Sequence, residues 1–353
     1  MDNLNILKLN DEFKSLLAKK NVLIAMPTIN SHSYILKTLN RIYNELLLIN
    51  KFTDCELLIC LNGTNDDYKT KNLLLNFKKN NSEINIILHE EIIGGKNNAI
   101  NIMIDYAKNN NKDIIHFIDD DIDFKPKSIL INIITLIEKE IKYKVPFLIG
   151  SNFLVKPHDL NHFRKYKKSF IKVLVSYFSY KISSVPFNKK SDKSRFCSAQ
   201  SLCMSVNTIP KIPKDLHRIT DDTYWTNYYA IKGKEIFKKY GEYAVHKPED
   251  SIVYFEASSS IREWIKQQVR IYSGVKAAFD YFKYEKEFIY KFNLWSYAFI
   301  KEYKKRIPKN YSFIDHFYYF LYSIFIFIIV RKANKKIKKE KSIDWAIAKS
   351  TKK

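Results

Sequence analysis

Residues 114–126 read IIHFIDDDIDFKP: a short apolar run, then Asp119, Asp120, Asp121 and Asp123, then Pro126. The run has the length of a buried strand, and the acids follow where such a strand stops. A strand that ends in carboxylates delivers them to the carboxyl edge of a sheet, where open α/β sheets bind their ligands. Carboxylates this close repel one another unless a cation joins them. Hard divalent ions with oxygen ligands, Mg²⁺ or Mn²⁺, suit such a cluster, and these ions commonly carry substrate phosphates. The plain alternative is a solvated turn. A calcium loop is excluded, because counting from Asp119 the sixth and twelfth positions hold Phe124 and Leu130 instead of Gly and Glu.

Upstream, apolar runs predict strands over residues 22–26, stopping at Pro27, and over 56–61, 84–89 and 114–118. The second strand runs into the turn Asn62-Gly63-Thr64-Asn65-Asp66. Helical periodicity covers 33–48, with Ile35, Leu36, Leu39, Ile42 and Leu46 as the inner face, and 70–79. Gly94-Gly95 opens a further helix that runs to about Asn109. Strand and helix alternating at this rhythm predict an α/β fold with a mainly parallel, doubly wound sheet. Residues 1–20 suggest a short amphipathic helix.

After Gly150 the rhythm changes. Residues 163–181 are rich in Lys, Tyr and Phe, and suit either a helix facing lipid or acceptor or one packing its aromatics inward. Residues 188–195 form a polar, basic loop, 260–272 read as helical, and 275–300 interleave aromatics with lysines. From Phe317 to Val330 there are 14 uncharged residues, short of the roughly 20 that a spanning helix needs. Basic residues flank both sides, and the tail from Arg331 holds ten basic and two acidic residues. An interfacial or re-entrant helix is the first expectation here, then a true span, then a core helix.

With 353 residues, 46% of them hydrophobic, a sizeable core is expected and global disorder is excluded. The net charge of +23 attracts nucleic acid, anionic lipid or phosphorylated substrates. Cys55, Cys60, Cys197 and Cys203 lack the tight spacing of a zinc ribbon and read as reduced, buried thiols. The polar start, MDNLNILKLNDEFKSLLAKK, has no long apolar core, so no secretory signal is expected and a cytoplasmic location is.

Five ordered elements between residues 22 and 274 carry a family resemblance. They are Val22-Leu-Ile-Ala-Met-Pro27-Thr28-x-Asn30, Leu57-Leu-Ile-Cys-Leu-Asn62-Gly63, Gly95-Lys96-x-x-Ala99-Ile100-Asn101, the acid cluster with Pro126, and Thr220-Asp221-Asp222 followed by Gln267-Gln268-Val-Arg270-Ile271. Together they resemble family 2 glycosyltransferases with the nucleotide-sugar-binding GT-A fold. Asp119 and Asp121 match that family's DxD pair, Thr220-Asp221-Asp222 its TED, and Gln267 to Ile271 its QxxRW, with Ile271 in place of Trp. Leu61 stands where the family often has Asp, which puts the base specificity in doubt.

The resemblance implies an inverting, metal-dependent transfer, of hexosyl type, from a nucleoside diphosphate sugar to a hydroxyl of a glycan or lipid-linked acceptor. Asp222 is then the general base and Asp221 its supporter. Pro27, Thr28, Asn30, Asn62, Lys96, Asn101, Asp119, Gln267 and Arg270 form the donor site. Asp119 and Asp121 hold Mg²⁺ or Mn²⁺, with His246 a candidate third ligand or a structural histidine. The expected layout is an N-terminal helix over 1–20, a GT-A domain over 21–274 with a nucleotide-sugar half (21–126) and an acceptor half (127–274), and a helical, basic, membrane-associating extension over 275–353. One membrane segment at most favours non-processive transfer, at the cytoplasmic face of the membrane, in the synthesis of surface polysaccharide, lipopolysaccharide or glycolipid. The expected partners are the donor, the acceptor and an anionic membrane surface, without nucleic acid. The rival readings are a nucleotidyltransferase on a similar sheet and a basic nucleic-acid-binding protein.

Overall fold

A computed structural model describes residues 11–63, 68–167, 169–184, 196–213, 220–285 and 312–339. The N-terminal ten residues, the turn after Gly63, residue 168, residues 185–195 with the expected basic loop over 188–195, residues 214–219, the stretch 286–311 and the tail from 340 lie outside the described residues. The chain divides into two compact units. The first comprises Met1–Ser151, Ala199–Lys211 and His246–Ser251, and the second Asn152–Ser198, Ile212–Val245 and Ile252–Lys353.

The chain begins with α1 (Asp11–Ala18), β1 (Asn21–Thr28), α2 (Ile35–Ile49), β2 (Asp54–Asn62), α3 (Lys69–Asn80), β3 (Asn85–Glu91) and α4 (Lys96–Asn109). It continues through β4 (Ile114–Ile118), β5 (Asp123–Phe124), α5 (Ser128–Tyr143), β6 (Leu148–Gly150), β7 (Asn152–Val155), α6 (Leu160–Arg164), α7 (Phe170–Ser184) and β8 (Ser201–Ser205). Then follow α8 (Asp221–Lys232), α9 (Lys234–Tyr240), β9 (Val245–His246), β10 (Ile252–Phe255), α10 (Ile261–Tyr281) and α11 (Phe313–Lys339).

The main sheet has the order β3-β2-β1-β4-β8-β6, with β9 at its far edge. The four strands β3, β2, β1 and β4 are parallel, and β8 is antiparallel to both β4 and β6. From β1 the chain winds outward to β2 and β3, then crosses back to place β4 on the other side of β1. That reversal is a topological switch point. Continuous apolar runs fit strands covered on both faces. Val22, Leu23, Ile24, Ala25 and Met26 are all fully buried.

The expected stop of β1 at Pro27 is not observed. The ladder to β4 ends at Ala25, so Pro27 pairs only with β2, and its missing N–H interrupts no second ladder. On α2 the inner face is Ile35, Leu39, Ile42, Leu46 and Ile49, while Leu36 is exposed. Glu45, also buried on α2, accepts the backbone N–H of Ile129 (3.2 Å) and of Lys127 at the start of α5. Burial raises the Glu45 pKa, and the positive end of α5 stabilises its charged form. The four cysteines are buried free thiols, with Cys60 pushed up to about 12 by burial.

In the second unit, β7 and β10 pair in parallel. The stretch 163–181, expected as one helix, divides into α6 and α7. α7 buries Val173 and Tyr180 and exposes Phe170, Ile171 and Val175, so it has both an inward aromatic face and an apolar outer one. α10 packs Trp264 and Val269 with Ile182 of α7 and with Tyr322, Ile329 and Ala333 of α11. α11 is about 40 Å long at 1.5 Å per residue. By length and composition its segment Phe313–Lys335 can cross a membrane, so the helix is longer than the uncharged run alone suggested. Its outer stripe, Phe313, Phe317, Phe320, Ile324 and Phe327, is exposed, with Phe313 at 87%.

At the centre of the first unit lies a buried polar network. Asn132 Nδ2 stands 3.2 Å from His116 Nε2 and donates to Ser151 Oγ at 3.0 Å, and Ser151 bonds Ser201 and Ser251 at 2.7 Å each. Burial lowers the His116 pKa to about 3. Below about pH 6.5 the unfolded chain gains a proton here that the folded chain does not, so this contribution to stability is present above that pH and is lost as pH falls. Denaturant midpoints should therefore drop between pH 7 and pH 4, and drop less in His116→Gln. Parallel pH profiles for the two proteins would refute this.

Candidate active site

Because β1, β2, β3 and β4 are parallel, their C-terminal ends share one edge of the sheet. Thr28 lies opposite Leu61 and Asn62 opposite Glu91, and the acid cluster follows the end of β4. β8 enters at the same edge, with Ser201 opposite Ile118. The carbonyl of Gln200, just before it, accepts the Asp119 N–H at 3.3 Å.

The acids have different partners. Asp119 accepts a 2.8 Å bond from Lys96 Nζ, so two residues expected on the donor side form one ion pair. Lys96 opens α4 after Gly95, whose φ of +130° lies where residues with a Cβ are strained. A Cβ on Gly95 would meet nothing within 4 Å, so conformation rather than crowding demands glycine. Asp120 is 6% exposed. It accepts the Thr28 hydroxyl at 2.6 Å and lies 3.5 Å from that of Tyr34. Asp123 pairs with Arg41 Nε (3.0 Å) and Lys37 Nζ (3.2 Å) of α2. Asp121 is partly buried.

Asn62 is 5% exposed, and its Oδ1 has no hydrogen-bond partner among the described residues. Native structures leave few such acceptors unpaired, so this atom suits a ligand N–H. Asn30 follows the end of β1 with φ +48°, a left-handed conformation that asparagine tolerates. Pro27 and Asn101 are partly buried, in β1 and α4. His246 lies in β9, and the segment that carries it returns beside the acid loop, where Lys125 pairs with Asp250 at 3.0 Å.

In the second unit, Asp221 and Asp222 form the first turn of α8, where the helix dipole favours anions. Neither is the N-cap. Thr220 is, without a side-chain cap bond, and its hydroxyl meets that of Thr223 at 2.7 Å. Asp221 is buried, whereas Asp222 is partly exposed and accepts the Thr223 N–H at 2.7 Å. Gln267 and Arg270 are partly buried on α10. Ile271, in place of tryptophan, packs with Val275 and Phe279 against Ile231 of α8, tying α10 to the helix that carries Asp222.

Residues 23–142 match the model of Glycosyl transferase family 2. The matched segment runs from β1 through α5 and is similar to that family, and the chain is a glycosyltransferase. Its fold is similar to that of a mannosyltransferase from Pyrobaculum calidifontis solved with GDP-mannose and Mn²⁺. The two are 13% identical, with a TM-score of 0.58 over 91% of this chain and 88% of that one. A glucosyl-3-phosphoglycerate synthase from Mycobacterium tuberculosis, solved with Mn²⁺, UDP and glucosyl-3-phosphoglycerate, is 11% identical with a TM-score of 0.42 over 76% of this chain and 82% of that one. No curated protein matches the chain.

Sequence reasoning missed the partners that sort the acids: Tyr34, Arg41 and Gln200, and the network behind His116. The one signal in the sequence was His116 itself, a polar residue inside an otherwise apolar strand. The Thr28–Asp120 bond holds the acid loop to β1. Thr28→Val keeps the shape but leaves a buried carboxylate short of a donor, and should cost about 1–3 kcal/mol by urea unfolding. A change below about 0.5 kcal/mol would show that the bond is not an anchor.

Proposed function

We propose that this glycosyltransferase moves one sugar per encounter from a nucleoside diphosphate sugar to a hydroxyl of a glycan or lipid-linked acceptor, with inversion at the anomeric carbon. The observation that carries the reading is the acid cluster at the β1/β4 switch point, with Asp119 paired to Lys96 at the start of α4. Lys96 and the N–H groups of that helix start suit a diphosphate. Asn62 Oδ1 receives an N–H of the base, and Pro27, Thr28, Asn30 and Asn101 line the nucleotide side.

The residues fit Mg²⁺ or Mn²⁺, because the donors are hard carboxylate oxygens. Asp119 and Asp121 are the ligand pair in this reading, with Lys96 beside Asp119 and His246 the candidate third ligand. When bound, the ion supplies positive charge to the departing diphosphate. Asp222 takes the proton of the acceptor hydroxyl as its oxygen bonds to the anomeric carbon and the bond from that carbon to phosphate oxygen breaks. Asp221 positions Asp222, and Gln267 and Arg270 meet donor or acceptor.

α11 supports an interfacial seat on a membrane, which this reading assigns to the cytoplasmic face. One side rests on α7 and α10, and the other is an apolar stripe. The groove beside α7, with Leu174, Tyr177 and Tyr318 as apolar lining and Lys167, Lys172 and Arg262 as cations, suits a lipid-linked, anionic acceptor.

A thermal-shift series of nucleoside diphosphate sugars with Mn²⁺ should raise the melting temperature for one donor, and EDTA should cancel the shift. Asp222→Asn should keep that shift and lose at least about 100-fold in transfer. Undiminished transfer would remove Asp222 as base, and release of pyrophosphate instead of nucleoside diphosphate would identify a nucleotidyltransferase. Deleting residues 311–353 should release the protein from anionic liposomes in a flotation assay. Unchanged flotation would defeat the interfacial role of α11.

A further inference from the structure

We propose that His158, His162 and Glu256 form a second metal site, one that takes a borderline first-row divalent ion of the Zn²⁺ type. One ligand atom from each of the three residues lies within 4.8 Å of the other two, and all three residues are partly buried. Zinc bonds of about 2.0–2.2 Å put tetrahedral ligands about 3.3–3.6 Å apart. Side-chain rotation closes the difference.

Local structure holds the three positions. β7 and β10 are parallel, with Val155 opposite Phe255, so the residues after each strand emerge side by side. Lys156 N–H donates to the Phe255 carbonyl at 2.9 Å, which sets Glu256 next to the turn leading to His158. Tyr180 clamps that turn. Its hydroxyl donates to the Lys156 carbonyl at 2.6 Å and accepts the His158 N–H at 3.0 Å. Asp159 caps α6 by accepting the His162 N–H at 2.9 Å. Phe163 and Tyr180, both buried, lie against the imidazoles and lower the local polarity.

The donor chemistry selects the ion. Two imidazoles and one carboxylate suit Zn²⁺ and its neighbours, whereas Mg²⁺ and Mn²⁺ prefer all-oxygen sets. The site therefore discriminates against the ion proposed for the acid cluster. Three protein ligands leave a fourth position for water. The imidazoles now stack, with centroids 3.6 Å apart and planes 13° from parallel. Lone pairs lie in the ring planes, so sharing one ion must turn the rings out of the stack. The ion would clasp the β7–α6 turn to the end of β10.

The test uses untagged, full-length protein stripped with EDTA. Titration with ZnCl₂ against a chromophoric chelator should reveal one tight equivalent. His162→Ala and Glu256→Gln should each weaken it at least about tenfold, and Asp119→Asn should not. Co²⁺ on the wild-type protein should give visible d–d bands that Zn²⁺ abolishes. The His158 and His162 ring resonances should shift as the stack opens. Zinc binding unchanged in both variants, missing Co²⁺ bands, or unmoved ring resonances would overturn the proposal. The spectroscopic readouts need only the wild-type chain, so a variant that fails to fold leaves the test decisive, and none of them depends on sugar transfer.

Discussion

Among the described residues, β1 is the only strand that pairs in parallel with strands on both sides and has a chain reversal across it, and the rest of the first unit follows from that placement. Its apolar run is buried between β2 and β4, so the sheet cannot shift register there without exposing core residues. The reversal leaves a crevice beyond the carboxyl ends of β1 and β4. Thr28 ends one wall and the acid cluster ends the other, and the hydrogen bond from Thr28 to Asp120 closes the two at their base. The Thr28 bond and the Asp119 N–H bond to Gln200 tie the positions of the acids to the sheet.

The same constraint gives three of the four carboxylates different partners. Asp120 is turned into the fold and satisfied by hydroxyls. Asp123 is drawn to cations on α2 in a partly exposed ion pair, the kind that contributes little to stability but orients a loop. Asp119 meets Lys96 at the mouth of α4, where positive charge and backbone N–H groups coincide. The division is electrostatic: buried carboxylates need hydrogen bonds, exposed ones need only solvent or a surface cation.

The second unit is organised by aromatic packing. Trp264 serves as the hub on which α7, α10 and α11 meet, and Ile271 joins α10 to α8. An aromatic core of this kind lets α11 remain apolar on its outer side, because its inner side alone suffices to hold it. The result is a helix that meets the compositional test for a membrane span while one face stays seated on protein.

Much of this was legible in the chain. The alternating strands and helices, the helix opened by Gly94-Gly95 and the acid cluster after β4 follow from local periodicity and turn chemistry, which act over a few residues. The identity of the outer residue on α2, the passage of β1 through Pro27 and the break between α6 and α7 did not, because each depends on what packs alongside. The same holds for the acids. Sequence placed Asp119, Asp120, Asp121 and Asp123 at the edge of a sheet, since a strand must end where its apolar run ends. Only the tertiary structure decided which of them is buried and which distant group each one meets. Their partners on β1, α2 and α4 lie far away along the chain, and no local pattern records which distant hydroxyl or cation a folded carboxylate will meet.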